Sequence, residues 1–81
     1  MTLDHEVENA VYKRLCDLTG LEIGHKNRKS SISCLGIDSI EFYGLVGDLE
    51  EDFNFRGKID DVELIGTIGD LIDYVKERAL K

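Results

Sequence analysis

An all-α fold is expected: a small four-helix bundle with a short third helix and a long connection between helices 1 and 2. Three long stretches repeat apolar residues at helical spacing along one face. Proline is absent, and 8 glycines fall largely between or beside those stretches, favouring helices joined by glycine-containing connections. The 81 residues make one domain spanning 1–81, and a hydrophobic content of 42% supplies a compact but thin core.

Helix 1 is read from Leu3, Val7, Ala10, Val11, Leu15 and Leu18, which share a face; Gly20 follows where a left-handed C-cap residue is expected. Residues 20–36 hold no sustained period and carry Lys26, Asn27, Arg28, Lys29 and three serines. They read as a surface connection pinned by Leu21, Ile23, Ile32 and Leu35 dipping into the core. It is long for a plain loop, so it either crosses the bundle or contributes to binding. Helix 2 opens on Asp38-Ser39-Ile40-Glu41, the pattern of a capping box. Phe42, Leu45, Val46, Leu49 and Phe53 then form one apolar arc, opposite Ile40, Gly44, Gly47 and Glu51. Tyr43, Asp48 and Glu50 flank that outer face, with Tyr43 expected to be partly in the core and the acids to point outward. Six acids lie between Asp38 and Asp52 with no base among them, so the helix is an acidic rod with an apolar keel. Ile59–Ile65 has room for a turn or two of helix before Gly66. Thr67 then caps a last helix, with Asp70 three residues on and Ile68, Leu71, Ile72, Val75 and Ala79 facing inward. Tyr74 lies at the boundary of that face, and Lys76, Arg78 and Lys81 gather at the C-terminal end, where the dipole prefers cations.

The charge balance narrows the function. Seventeen acids against 10 bases give −7, which repels nucleic acid and anionic membrane and favours partners with basic surfaces. The start, Met1 to Glu6, lacks the basic and apolar regions of a signal peptide, and no apolar run is long enough to cross a bilayer. A cytoplasmic protein is expected, and Cys16 and Cys34 are accordingly read as reduced, unrelated thiols. His5 and His25 assemble neither a metal site nor a triad. No glycine-rich phosphate loop or working carboxylate pair is present, and Cys34 has no histidine placed to activate it. The chain is therefore expected not to be an enzyme.

One residue stands out: Ser39, at the exposed start of an acidic helix, beside free backbone N–H groups at the positive end of the dipole. A phosphodiester there is electrostatically welcome. Leu35-Gly36-Ile37-Asp38-Ser39-Ile40-Glu41 resembles the phosphopantetheine attachment motif of acyl carrier proteins, with its Gly-x-Asp-Ser core followed by Leu, Ile or Met. Leu45-Val46 and Leu49-Glu50-Glu51-Asp52-Phe53 are similar to that family's second helix, and Thr67 to Val75 to its last. The chain departs from the pattern at Cys34, where an acid is common, at Gly44 and Gly47, in its abbreviated third helix and in the basic cluster Lys26-Arg28-Lys29.

The resemblance implies that Ser39 receives 4'-phosphopantetheine from coenzyme A through a separate phosphopantetheinyl transferase, and that the arm's thiol carries the cargo as a thioester. It implies that Asp38, Ile40 and Glu41 form the recognition edge. Asp48, Glu50 and Glu51 would extend an acidic docking strip toward acyl- or aminoacyl-loading enzymes and downstream synthases. Gly44 and Gly47 either admit a partner or the arm closely or are tolerated weak points. The expected module is a monomer carrying fatty-acyl or polyketide-type intermediates. An aminoacyl carrier is the alternative, and an unmodified helical interaction domain a remoter one.

Overall fold

The computed structural model describes residues 3–79. Among them, four α-helices run in the order α1 (Leu3–Thr19), α2 (Ser39–Phe53), α3 (Ile59–Glu63) and α4 (Ile68–Ala79), and α1 packs against both α2 and α4. The helical bundle expected from the periodicity is what forms. Lys81 and the side chain of Leu3 lie outside the described residues.

The core follows the predicted faces. Val7, Val11 and Leu15 from α1, Leu45, Val46 and Leu49 from α2, and Ile68, Leu71, Ile72 and Val75 from α4 are buried, joined by Val62 of the five-residue α3. Phe42 and Phe53 pack against this cluster as half-buried rings, and Tyr74 is half-buried, as its boundary position predicted. Leu18 departs from expectation: at the last turn of α1 its inner face runs out, and it is 37% exposed. Gly20 ends α1 in the left-handed region at φ 72°, where its N–H bonds to the carbonyl of Cys16.

The connection from 20 to 38 is built, not slack. Its Ile23 and Ile32 are buried and Leu35 is half-buried, but Leu21 is 50% exposed and does not pin the chain as expected. The backbone turns at Gly20, and Leu21 is held instead by its N–H on Thr19 Oγ1 at 3.1 Å. Cys16 Sγ receives the N–H of Ile23 at 3.3 Å, fixing the descent. Two 3₁₀ turns, His25–Asn27 and Ile32–Leu35, take up part of the length. Between them Ser31 forms an antiparallel bridge with Thr67: the N–H of Ile32 bonds to Gly66 O at 2.9 Å, and that of Ile68 to Ser30 O at 3.1 Å. Arg28 then pairs with Glu8 of α1 and, at 3.5 Å, with Asp73 of α4. The basic cluster thus supplies one partner for the chain's own acids, while Lys26 and Lys29 stay exposed.

The direction of α2 follows from its contacts with α1. Arg14 reaches Asp48 and Asp52 near the end of α2, whereas Leu18 shares a groove with Glu41 and Gly44 near its start. The two helices run antiparallel. The head of α2 therefore lies at the C-terminal end of α1, away from the end that Arg28 fastens.

Candidate functional site

The local sequence fixes how Ser39 is presented. Gly36, at φ 77°, turns the chain out of the second 3₁₀ turn in a conformation that favours glycine. Asp38 is extended, at φ −85° and ψ 174°, and caps α2. The Glu41 N–H donates to Asp38 Oδ1 at 2.8 Å, and the Asp38 N–H donates to Glu41 Oε1 at 3.3 Å, completing the capping box. Ser39 is the first residue of the helix and is exposed. Its own N–H and that of Ile40 have no intrahelical acceptor at this end. The hydroxyl thus stands in solvent at the positive pole of a 15-residue helix, free for a bulky substituent.

Ile40 follows at 82% exposure. Tyr43 is 41% exposed, contrary to the expectation of partial burial. It sits on the solvent side of the arc, its ring tilted against that of Phe42 with centroids 6.4 Å apart. Gly44 and Gly47 lie on the same side with open space where a side chain would begin. Each costs the helix about 1 kcal/mol relative to alanine.

The six acids do not form the uniform outward strip expected. Asp38 and Glu41 are committed to the cap. Arg14 grips Asp52 with two nitrogens, Nη2 at 2.9 Å from Oδ1 and Nε at 3.1 Å from Oδ2, and reaches Asp48 at 3.6 Å. Glu50, expected to point outward, is half-buried and receives the N–H of Gly57 at 2.6 Å, stabilising the turn after α2. Glu51 stays exposed. Arg14 went unnoticed in the sequence. The available signal was the spacing of Asp48 and Asp52, four apart on one helix face, which one cation can bridge.

Cys34 is an exposed free thiol four residues before the Asp38 cap, and Cys16 is a free thiol within the bundle. Among the described residues, no cluster of His, Cys, Asp or Glu is arranged to hold a metal ion. No helix there is long and apolar enough to cross a membrane.

A small helical bundle that holds one serine out on a capped helix offers an exposed hydroxyl to which a group can be tethered. The chain belongs to the phosphopantetheine attachment site family, whose pattern it matches over residues 9–75. Covalently attached phosphopantetheine is the cofactor of this family. The residues here fit it: a solvent-exposed hydroxyl for the ester bond and unpaired first-turn N–H groups for the phosphate. The acyl carrier protein of Chlamydia caviae is 35% identical over 79 residues, covering 96% of this chain and 97% of that one. The acyl carrier protein of Porphyromonas gingivalis is 34% identical over 73 residues, 89% and 94% of the two chains. The crystal structure of an acyl carrier protein from Thermotoga maritima superposes with a TM-score of 0.77 at 23% identity, over 93% of this chain and 88% of that one, so the two share a fold.

Proposed function

We propose that residues 1–81 act as a single non-catalytic acyl carrier domain, a cytoplasmic monomer in which Ser39 bears the phosphopantetheine. One observation carries this reading: Ser39 is the exposed N-terminal residue of α2, immediately after the Asp38 cap, in a chain of the phosphopantetheine attachment family. When attached, the group supplies a terminal thiol that holds an acyl cargo as a thioester.

The chain's own part is presentation. The capping box locks the first turn, so the Ser39 oxygen is offered to a transferase in one place. The N–H groups of Ser39 and Ile40 and the dipole of α2 favour the phosphodiester that forms there. Asp38, Ile40 and Glu41 neighbour Ser39 at the start of α2 and serve as the edge a phosphopantetheinyl transferase reads. The side of α2 that carries Gly44, Gly47, Asp48, Glu50 and Glu51 faces the loading and synthase enzymes that follow. The net charge of −7 draws basic enzymes toward it. Relatives named as acyl carrier proteins support an acyl cargo, and its fatty-acid or polyketide type is part of the proposal.

The test is direct. Purified protein incubated with coenzyme A and a broad-specificity phosphopantetheinyl transferase is expected to gain the mass of one phosphopantetheinyl group, and Ser39→Ala to gain none. A wild-type chain that never takes up the mass, or a Ser39→Ala chain that does, ends the reading.

A further inference from the structure

Arg14 carries a cation from α1 onto the acids of α2. Its Nη1 stands 3.6 Å from Asp48, and its Nε and Nη2 reach Asp52 Oδ2 at 3.1 and 2.8 Å. Asp38 and Glu41 accept from each other's backbone N–H groups, Glu50 accepts from the Gly57 N–H, and Glu51 is exposed. Among the described residues, Asp48 and Asp52 are therefore the acids of α2 that another helix neutralises. The arrangement is wet: 39% of the Arg14 side chain, 55% of that of Asp48 and 36% of that of Asp52 face solvent. Ion pairs at such exposure are weak, and a second cation competes for them readily.

The guanidinium also has somewhere else to go. Asp17 lies three residues further along α1 and is exposed, at a spacing that lets the two side chains meet on one helix face. It lines both of the recesses that Arg14 lines, the one that holds Asp48 and the one that holds Asp52. An Arg14 side chain displaced from α2 thus keeps a carboxylate beside it, and the exchange costs little.

Resting on the carrier reading above, we propose that Arg14 is an internal rival of the partner enzymes' cations and so determines which of those enzymes the chain serves. A lysine or arginine of a partner takes Asp48 or Asp52 only by displacing Arg14, which turns to Asp17. An enzyme that brings a single cation to this place replaces one pairing with another and gains nothing. An enzyme that brings two gives each carboxylate a partner of its own in place of a shared one. The chain therefore selects by the number of cations presented, a discrimination that its net charge of −7 does not make.

The probe is a phosphopantetheinyl transferase with a basic carrier-binding surface, supplied with coenzyme A and read as the KM for the carrier and the kcat of modification. Arg14→Gln is expected to lower KM about threefold with kcat within about twofold. Its KM is also expected to climb more steeply with NaCl than that of wild type, because two freed carboxylates then meet the partner. Adding Asp52→Asn to Arg14→Gln is expected to remove most of the gain. Arg14→Lys keeps the cation and is expected to hold KM within about twofold of wild type. Lys13→Gln removes the neighbouring exposed cation of α1 and tests net charge alone; it is expected to change KM by less than about twofold. Tighter docking from the loss of an ion pair is an outcome that a purely structural role does not produce. A Lys13→Gln gain equal to that of Arg14→Gln, or an Arg14→Gln gain that survives Asp52→Asn, overturns the proposal. If wild type is modified and Arg14→Gln matches it or docks more weakly, Arg14 is only a tie between helices and this proposal fails alone. If wild type is never modified, the carrier reading falls and the rivalry with it.

Discussion

Beneath Tyr74 the backbone at Gly57 passes so close that a Cβ there overlaps the phenolic oxygen, while Glu50 Oε2 stands 3.3 Å away on another side. The ring has little room to withdraw. Phe55 meets it edge-on at 6.2 Å, and the Arg78 guanidinium lies 5.4 Å from its centroid. Gly57→Ala is expected to lower stability by about 1–3 kcal/mol in urea unfolding, the cost of overpacking. Tyr74→Phe in the same background is expected to restore most of that loss, because it removes the colliding atom. On its own it costs little, since the Tyr74 hydroxyl has no hydrogen-bond partner among the described residues. If the two changes are simply additive, the collision is not between them. The serine was legible at once because its motif is contiguous. Gly57 and the inward turn of Glu50 were not, since each depends on a partner that the chain brings back only after folding.

Both α2 and α4 begin with reciprocal caps, and these were readable because every group involved lies within four residues. In α4 the Asp70 N–H donates to Thr67 Oγ1 at 3.0 Å, and Asp70 Oδ2 receives the N–H groups of Thr67 at 3.1 Å and Gly66 at 3.3 Å. Those backbone donors, Thr67 first and Gly66 second, hold the Asp70 carboxyl below its ordinary value. Its folded pKa is thus lower than its unfolded one. The stabilisation is complete above the unfolded value of about 3.9 and fades as pH falls through the folded one. Asp70→Asn is expected to lower the Tm at neutral pH, with the gap to wild type narrowing below about pH 4. A gap constant down to pH 2 means the cap works without its charge. Helix α3 was foreseen as brief, and its cap residue Lys58 makes no side-chain cap bond. Burial of Val62 and the Arg78–Asp61 pair hold it to α4.

The connection from α1 to α2 is where the sequence was least informative, because its order comes from residues far along the chain. Ser31 pairs with Thr67, and the Gly69 N–H bonds to Arg28 O at 2.7 Å, contacts that no local periodicity encodes. Arg28 ties the arrangement together: its side chain is 28% exposed, that of Glu8 19%, and Lys76 also approaches Glu8 at 3.7 Å. Arg28→Gln is expected to cost about 1–2 kcal/mol, the worth of charge-assisted bonds in a partly wet site. It is also expected to speed amide exchange at Ile32, Ile68 and Gly69 ahead of Leu49 in the core. Uniform acceleration at all four means the ion pairs hold the entire bundle and not this seam. The fastening at Glu8 and the groove at Leu18 lie ten residues apart on α1, roughly 15 Å along its axis. Lys26 and Lys29 flank Arg28 in this seam and are exposed, and neither lines the groove at Leu18 and Glu41 beside the head of α2. Coupling the chain to a bead or a dye through those two amines burdens the seam and leaves the first turn of α2 uncovered.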